Sequence, residues 1–379
     1  MIVPIIFDPY EANGYIFSAN FSHGLEKIIA SKKHHFMSID GNHYREFDYN
    51  AFFREAPRLI IVRGTLRHWL VPALRFFREQ KIDVLLIGDN PCPEFPVRGN
   101  ITSDDERGTL LLLRHFATCG CSRTALYSIF ENSTSDMKKQ YFFLKHISQK
   151  DNPDRFCILN KTGLEACYRD FFSRISEFDS VICPNELAAV SLIRNLQNDG
   201  IRVPEDIQVA AFGGHGISRF LKKRLTAVDS KPEHITYNVV FQFFRMLISL
   251  PENSEPLKIV QSVDLDIHNT TLPKCSMESS NDPDCSIPGM VHTNFYDDDE
   301  VRFYIQLAQL FNCCDGTDLK MVHLCLKGYS YEKLAENLHM SVGTTFYRMQ
   351  KILQFLGFDS RTQLEDFLRS HNFENLYQS

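Results

Sequence analysis

Six polar residues stand just beyond short apolar runs: Asp8, Arg63, Asp89, Asn185, Glu186 and His215. Together they offer carboxylates, a guanidinium, a carboxamide and an imidazole, a hydrogen-bonding set for a small polar ligand if the fold makes them converge. Each could equally cap a helix or line a loop, because polar residues after strands are common. A second group lies near the C-terminus, where Ser341, Thr344, Phe346, Tyr347, Arg348, Gln350 and Lys351 fall within one helical stretch. Phe346, Tyr347 and Gln350 occupy i, i+1 and i+4 and so share an edge. Rings of this kind can rest on thymine methyls, a glutamine can pair with adenine, and Lys351 can meet phosphate. Catalysis is the weaker reading. Cys183 and His215 could be imagined as nucleophile and base, but no acid completes the order. Gly213–Gly216 lacks the Lys-Ser/Thr of a phosphate loop. Neither Cys119-Gly-Cys121 nor Cys313-Cys314 has the paired spacing of a zinc site. No catalytic residue, metal or cofactor is expected.

The elements that would position the first group alternate between strand and helix. Ile2–Phe7, His35–Ile39, Arg58–Val62 and Asp83–Gly88 read as strands, with helices over Tyr15–Ser31 and Trp69–Gln80. The pattern continues through helix Thr109–Thr118, strand Thr124–Phe130, helix Met137–Ser148, strand Phe156–Asn160 and helix Leu164–Ser176. Strand Ser180–Cys183, helix Leu187–Asn198 and strand Asp206–Phe212 complete it. Such alternation predicts parallel α/β units. From Pro273 to Gly289 prolines and small polar residues replace any period, which predicts a linker. Beyond Phe295 the apolar spacing is helical throughout.

Several stretches of the first part resemble the sensor half of the lactose/galactose-repressor family. Ser103-Asp104-Asp105-Glu-Arg-Gly108, followed by Leu113-Arg-His-Phe116 and Gly120-Cys-Ser-Arg123, is similar to its Asp-Asn-x-x-Gly…His-Leu…Gly-His-x-Arg stretch. Cys183-Pro-Asn185-Glu186-Leu-Ala188 resembles its Asn-Asp-x-x-Ala turn. Gly200-Ile-Arg-Val203-Pro204-Glu205-Asp206-Ile207-Gln-Val209 resembles Gly-x-x-Val-Pro-x-Asp-Ile-x-Val, and Leu225-Thr226-Ala-Val228 its Leu-Thr-Thr-Val strand. The resemblance implies a type I periplasmic-binding-protein fold, two lobes of parallel sheet with a ligand cleft beyond the strand ends. The six polar residues above would then line that cleft. Three departures stand out. Gly213-Gly214 follows Ala211-Phe212 where the family carries a ligand-gripping aspartate. Glu186 replaces an aspartate. Lys138 or Lys139 stands for an arginine, which loses bidentate recognition. The fold transfers, but a hexose ligand does not; the effector would be sugar-like or of unknown kind. The family's N-terminal DNA-binding headpiece and hinge helix have no counterpart before the first strand.

Residues 318–368 resemble a LuxR-type helix-turn-helix. The motif runs Met321-Val322-x-Leu324-x-Leu326-Lys-Gly328-Tyr-Ser330, then Lys333-Leu334-Ala335-x-x-Leu338-x-Met340-Ser341. Val342-Gly-Thr344-Thr345-x-x-Arg348-x-x-Lys351-Ile352-Leu353-x-x-Leu356-Gly357-Phe358 follows as the recognition helix and its end. Leu334, Ala335 and Leu338 would share a buried face, with the small Ala335 allowing close helix approach. Ser341 is a natural cap. Ile352, Leu353 and Leu356 would face inward.

The chain's 379 residues and net charge of −6 give no global sign of nucleic-acid binding. From Phe295 to Ser379, eight basic residues face twelve acidic ones, a balance of −4. Around the recognition helix, Arg348, Lys351 and Arg361 against Asp359 predict a locally positive surface. DNA affinity per chain should be low and salt-sensitive, so a homodimer is expected. The N-terminus lacks a basic region and a long apolar run, and no window reaches a membrane span. A cytoplasmic location with no membrane partner is therefore expected, which argues against a secreted solute-binding protein. Eleven scattered cysteines then read as reduced thiols. The expected organisation is α/β: a sensor over residues 1–272, a linker over 273–294 and an all-α helix-turn-helix domain over 295–379. The combined reading is a DNA-binding transcription regulator. Its competitor is a small-molecule-binding protein whose C-terminal helices dock a protein partner.

Overall fold

The computed structural model describes residues 1–9, 16–54, 58–92, 94–147, 153–213, 224–230, 233–252, 254–272 and 298–370. The expected linker over 273–294 and the candidate His215 lie outside these residues.

Apolar alternation builds the first lobe. Strand β1 (Ile2–Phe7) is followed by helix α1 (Ile16–Ser31), β2 (His35–Ile39), β3 (Leu59–Arg63), helix α2 (Arg67–Glu79), β4 (Asp83–Ile87) and β5 (Gly99–Ser103). Val3 and Ile5 of β1 and Leu59 and Ile61 of β3 face one side, with Leu25 and Ile29 of α1. Ile6, Ile60 and Val62 face the other, with Trp69, Leu70 and Phe77 of α2. A sheet covered on both faces needs near-continuous apolar strands, which is what the runs supply.

After β5 the chain crosses to a second lobe through α3 (Asp105–Thr118), β6 (Thr124–Ile129), α4 (Thr134–His146), β7 (Cys157–Leu159), α5 (Leu164–Ser173), β8 (Ser180–Cys183), α6 (Glu186–Asn198), β9 (Gln208–Phe212) and β10 (Thr226–Ser230). Helix α7 (Glu233–Ser249) and β11 (Leu257–Gln261) return to the first lobe, and β12 (Val263–Asp266) crosses back to the second. The strand orders are β11-β5-β4-β3-β1-β2 and β12-β10-β9-β8-β6-β7. Among the described strands every pairing is parallel except β10 with β12. The predicted α/β class and two-lobed parallel architecture hold. Elements β5, α7, β11 and β12 are not among the expected ones, and several helices begin earlier than their periodicity indicates. Helix α3 starts at Asp105 because Asp104 caps it, accepting Arg107 N at 3.1 Å. Among the described residues no helix is long and apolar enough to cross a membrane.

Gly41, just past β2, packs directly against the end of β1. A Cβ on it would lie 2.0 Å from Phe7 O, a backbone atom that cannot rotate aside. Trp69 Nε1 also donates to Gly41 O at 3.0 Å. Gly41→Ala should cost about 1–3 kcal/mol of stability by overpacking, read as a lowered denaturant midpoint with an unchanged slope.

The C-terminal segment is all helix: α8 (Asp299–Cys313), α9 (Gly316–Leu326), α10 (Tyr331–Asn337), α11 (Val342–Leu356) and α12 (Arg361–Ser370). Side-chain caps set all five starts, Ser360 accepting Gln363 N at 3.2 Å before α12. Asp298 accepts Glu300 N and Val301 N, Asp315 and Asp318 form a capping box, Ser330 accepts Lys333 N, and Ser341 accepts Thr344 N. Gly357 ends α11 in the left-handed region at φ 75°. Helix α8 docks this segment on the second lobe. Val301, Tyr304 and Leu307 share an apolar cluster with Leu164, Leu187 and Val190, while Ala188, Ala189 and Leu192 of α6 belong to the lobe's own core. Helix α6 is therefore buried on two sides. Asp298 Oδ2 accepts Leu164 N at 2.7 Å, and Arg194 approaches Glu300 at 3.7 Å. Helix α8 also lies against α1 of the first lobe and against α11.

Candidate functional site

The carboxyl ends of the two sheets meet. The segments after β3 and β6 meet: Thr134 N donates to Thr65 O and Arg67 N to Asn132 O, each at 2.8 Å. His68 N donates to Asn132 Oδ1 at 3.1 Å. These amides sit in the first turns of α2 and α4, where no intrahelical acceptor exists, so the opposite lobe satisfies them. The cleft is closed at this mouth.

The structure brings Asp8, Arg63 and Asp89 to the ends of neighbouring strands in the first lobe, and Asn185 and Glu186 to the end of β8 in the second. Their roles differ from one uniform lining. Asp8 is fully buried, its carboxylate accepts Leu66 N at 3.2 Å, and its own N–H donates to Arg63 O at 2.8 Å. It thereby shapes the loop that crosses to the other lobe. Asn185 caps α6, its side chain accepting Ala188 N at 2.9 Å. Glu186 is buried, and its Oε1 lies 3.5 Å from where a Cβ on Gly213 would stand. The longer glutamate thus borders the space that glycine leaves.

The most heavily engaged group at the site is Lys138, on α4 of the second lobe. Its ammonium donates to Asp89 Oδ1, Thr102 Oγ1 and Ser103 O, each at 2.8 Å, and lies 3.0 Å from Asp105 Oδ2. Thr102 in turn donates to the same Asp89 oxygen. Burial works against the ammonium, but the Asp105 and Asp89 carboxylates outweigh it and raise the Lys138 pKa. Burial raises the Asp105 carboxyl, opposed by Lys139 and Lys138, and burial likewise raises Asp136. Asp136 accepts Phe130 N at 3.2 Å. Lys139 donates to Pro184 O at 2.8 Å and stands 5.0 Å from the centre of the Phe212 ring. Lys138 and Lys139 stand in the sequence as departures from an arginine, and neither is among the six expected site residues. Nor are Asp105 and Thr102.

In the C-terminal segment, Thr345, Met349, Ile352, Leu353 and Leu356 of α11 are buried, as are Leu334 and Ala335 of α10. Leu338 is only half-buried. Phe346 is 50% and Tyr347 70% exposed, and Thr344, Gln350 and Lys351 are exposed beside them. The expected local positive surface is corrected here. Arg348 points back to the start of α9, bonded to Asp315 at 2.9 Å and Asp318 at 2.7 Å. The hydrogen bonds it donates to those two carboxylates raise its pKa further. Arg361 pairs with Glu365 and donates to Tyr329 O at 2.7 Å. Lys351 is left as the exposed cation of the three.

A sequence profile for a periplasmic binding protein-like domain matches residues 113–265. Solved structures align across both lobes. The transcriptional regulator CelR in its cellobiose complex superposes with a TM-score of 0.59 at 15% identity, covering 71% of this chain and 84% of that one. The dimeric Lac repressor with an 11-residue C-terminal deletion gives 0.58 at 13%, covering 72% and 99%. The two lobes have the type I periplasmic-binding-protein fold. Among curated proteins, the probable HTH-type transcriptional repressor ExuR of Bacillus subtilis is 23% identical over 176 residues, 45% of this chain and 52% of its own. The HTH-type transcriptional regulator GalR of Escherichia coli is 29% identical over 134 residues, 34% of this chain and 39% of its own. The chain thus spans about half or less of the curated relatives it matches.

Proposed function

We propose that this protein is a DNA-binding transcription regulator of the cytoplasm, in which a sensor over 1–272 controls a LuxR-type helix-turn-helix over 295–379 through a linker over 273–294. The observation that carries this reading is the division of α11. One face is buried, and the other presents Thr344, Phe346, Tyr347, Gln350 and Lys351 behind a Ser341-capped start. An exposed aromatic pair beside an amide and a cation matches what a major groove offers. The similarity to regulators, over the sensor lobes, supports the same assignment. The protein acts as a homodimer, because Arg348 and Arg361 are spent internally and one such helix presents little charge to phosphate. The effector is a small polar molecule, sugar-like or of another class, held between the lobes.

Selection of bound DNA from a random pool with the full chain, followed by retardation assays, tests this. Gln350→Ala should cost about 1–3 kcal/mol on the selected site and relax preference at one base position. Lys351→Ala should weaken all sequences alike and flatten the salt dependence. An unchanged specificity ratio for Gln350→Ala overturns the base-reading role of the helix. A second reading has one observation in its favour: the internal pairing of Arg348 and Arg361 leaves the face more aromatic than basic, as in a protein-docking surface. Failure to select any DNA would favour it.

A further inference from the structure

We propose that the interlobe cleft contains a primary-ammonium site, and that Lys138 occupies it as a tethered ligand which holds the lobes closed without a bound small molecule. This deepens the sensor reading above and rests on the two lobes being a hinge-closing pair; it does not depend on DNA binding.

The geometry is that of a cage. Four oxygens surround the Lys138 ammonium at 2.8–3.0 Å: Asp89 Oδ1, Thr102 Oγ1, Ser103 O and Asp105 Oδ2. Three of them belong to the first lobe, from the loop after β4 and from β5, whereas the lysine is carried by α4 of the second. Side-chain exposure is 20% for Lys138, 16% for Asp89 and 5% for Asp105. A largely buried charge cluster of this kind is strongly coupled, and removing one member leaves the others desolvated and unpaired. The three donors of an ammonium suit separate acceptors, which a guanidinium fork would not match. The cage also lies on the cleft that the fold reserves for ligands, beyond the carboxyl ends of the strands. The site therefore selects an R–NH3+ group, and the chain supplies one itself. An external effector that reaches these oxygens must be a primary amine able to displace the lysine.

Closure has a direct reporter. The amides of Arg67 and Thr134 donate across the lobe boundary from first helical turns, where only the opposite lobe protects them. Amide hydrogen exchange of the full-length protein reads the opening of that boundary. Lys138→Ala should accelerate exchange at Arg67 and Thr134 at least tenfold while leaving β1 and β8 protected. Addition of n-propylammonium chloride, whose three carbons and ammonium replace the atoms removed, should restore much of the protection. Equal concentrations of sodium chloride or n-propanol should not. Unchanged exchange in Lys138→Ala overturns the latch. Accelerated exchange that n-propylammonium fails to reverse overturns the ammonium site. If Lys138→Ala does not fold, Asp89→Asn, which removes a charge from the opposite lobe, carries the same exchange readout: acceleration supports the latch and no change overturns it. Retardation assays separate the two readings. A wild type that selects no DNA but shows the exchange pattern sinks the regulator and leaves the latch standing, and the reverse result does the opposite.

Discussion

Tyr304→Ala is expected to lower the unfolding free energy by about 3–5 kcal/mol, the range for emptying a large aromatic site from a core. Tyr304 is 0% exposed, in the middle of α8. It belongs to the apolar cluster that joins Leu187 and Val190 of α6 to Met321, Leu334, Met349 and Ile352 of the C-terminal helices. Its hydroxyl donates to Glu300 Oε1 at 3.4 Å, and burial already raises the Glu300 carboxyl pKa against the pull of Ser191 and Arg194. Truncation thus opens a cavity and removes one partner of a buried acid. Because α8 contacts the second lobe, the first lobe and α11, the loss should uncouple the segments as well as weaken them. Calorimetry should resolve a separate, earlier transition for the helical segment, where the wild type unfolds with it coupled to the lobe. Tyr304→Phe keeps the ring and should cost only about 0.5–1.5 kcal/mol, the net worth of one hydrogen bond. If Tyr304→Ala melts as the wild type does, α8 is not the element that holds the segments together.

The parts of this fold that were legible in the sequence are those that local pattern encodes. Ile2–Phe7 and Ser180–Cys183 are apolar because both sheet faces are covered, and the strands fall where the runs do. Strand β5 escaped for a physical reason. Gly99-Asn-Ile-Thr-Ser103 has one apolar side chain, and its Asn100 and Thr102 are buried only because tertiary partners satisfy them. Asn100 Nδ2 donates to Leu86 O and Gly88 O, and Thr102 donates to Asp89. The strand-end polar residues were readable as a set, but not their division of labour. Nothing at Asn185 separates a helix cap from a ligand group until Ala188 N is seen on its oxygen. The charge reading near α11 failed by distance. Arg348 finds its carboxylates 33 and 30 residues upstream, at Asp315 and Asp318, beyond any local window. Lys138 was missed from the site for the same reason, since its partner Asp89 lies on the other lobe.

On the proposed reading, removing both rings from the exposed edge of α11 should have the largest effect on DNA binding. Tyr347 is 70% exposed, and Phe346, 50% exposed, leans on Tyr331 with ring centres 5.5 Å apart. Rings left in water at such cost usually belong to a contact surface. Aromatic contacts in an interface are each worth about 1–2 kcal/mol when truncated, so the double Phe346→Ala/Tyr347→Ala variant should lose on the order of 2–4 kcal/mol. At about 1.4 kcal/mol per decade, that is roughly 30- to 1,000-fold in Kd on the selected site. The fold should barely notice the loss of Tyr347, within about 0.5 kcal/mol. Loss of Phe346 should add up to about 1 kcal/mol through the Tyr331 contact. The two readouts therefore separate: retardation collapses while thermal unfolding moves by only a few degrees. The direction of the specificity change is also set. Rings that rest on thymine methyls discriminate thymine, so replacing thymine by uracil at the contacted position should weaken the wild type and leave the double variant indifferent. Equal retardation by wild type and double variant would mean that this edge reads no base. The aromatic pair would then be the footprint of a protein partner.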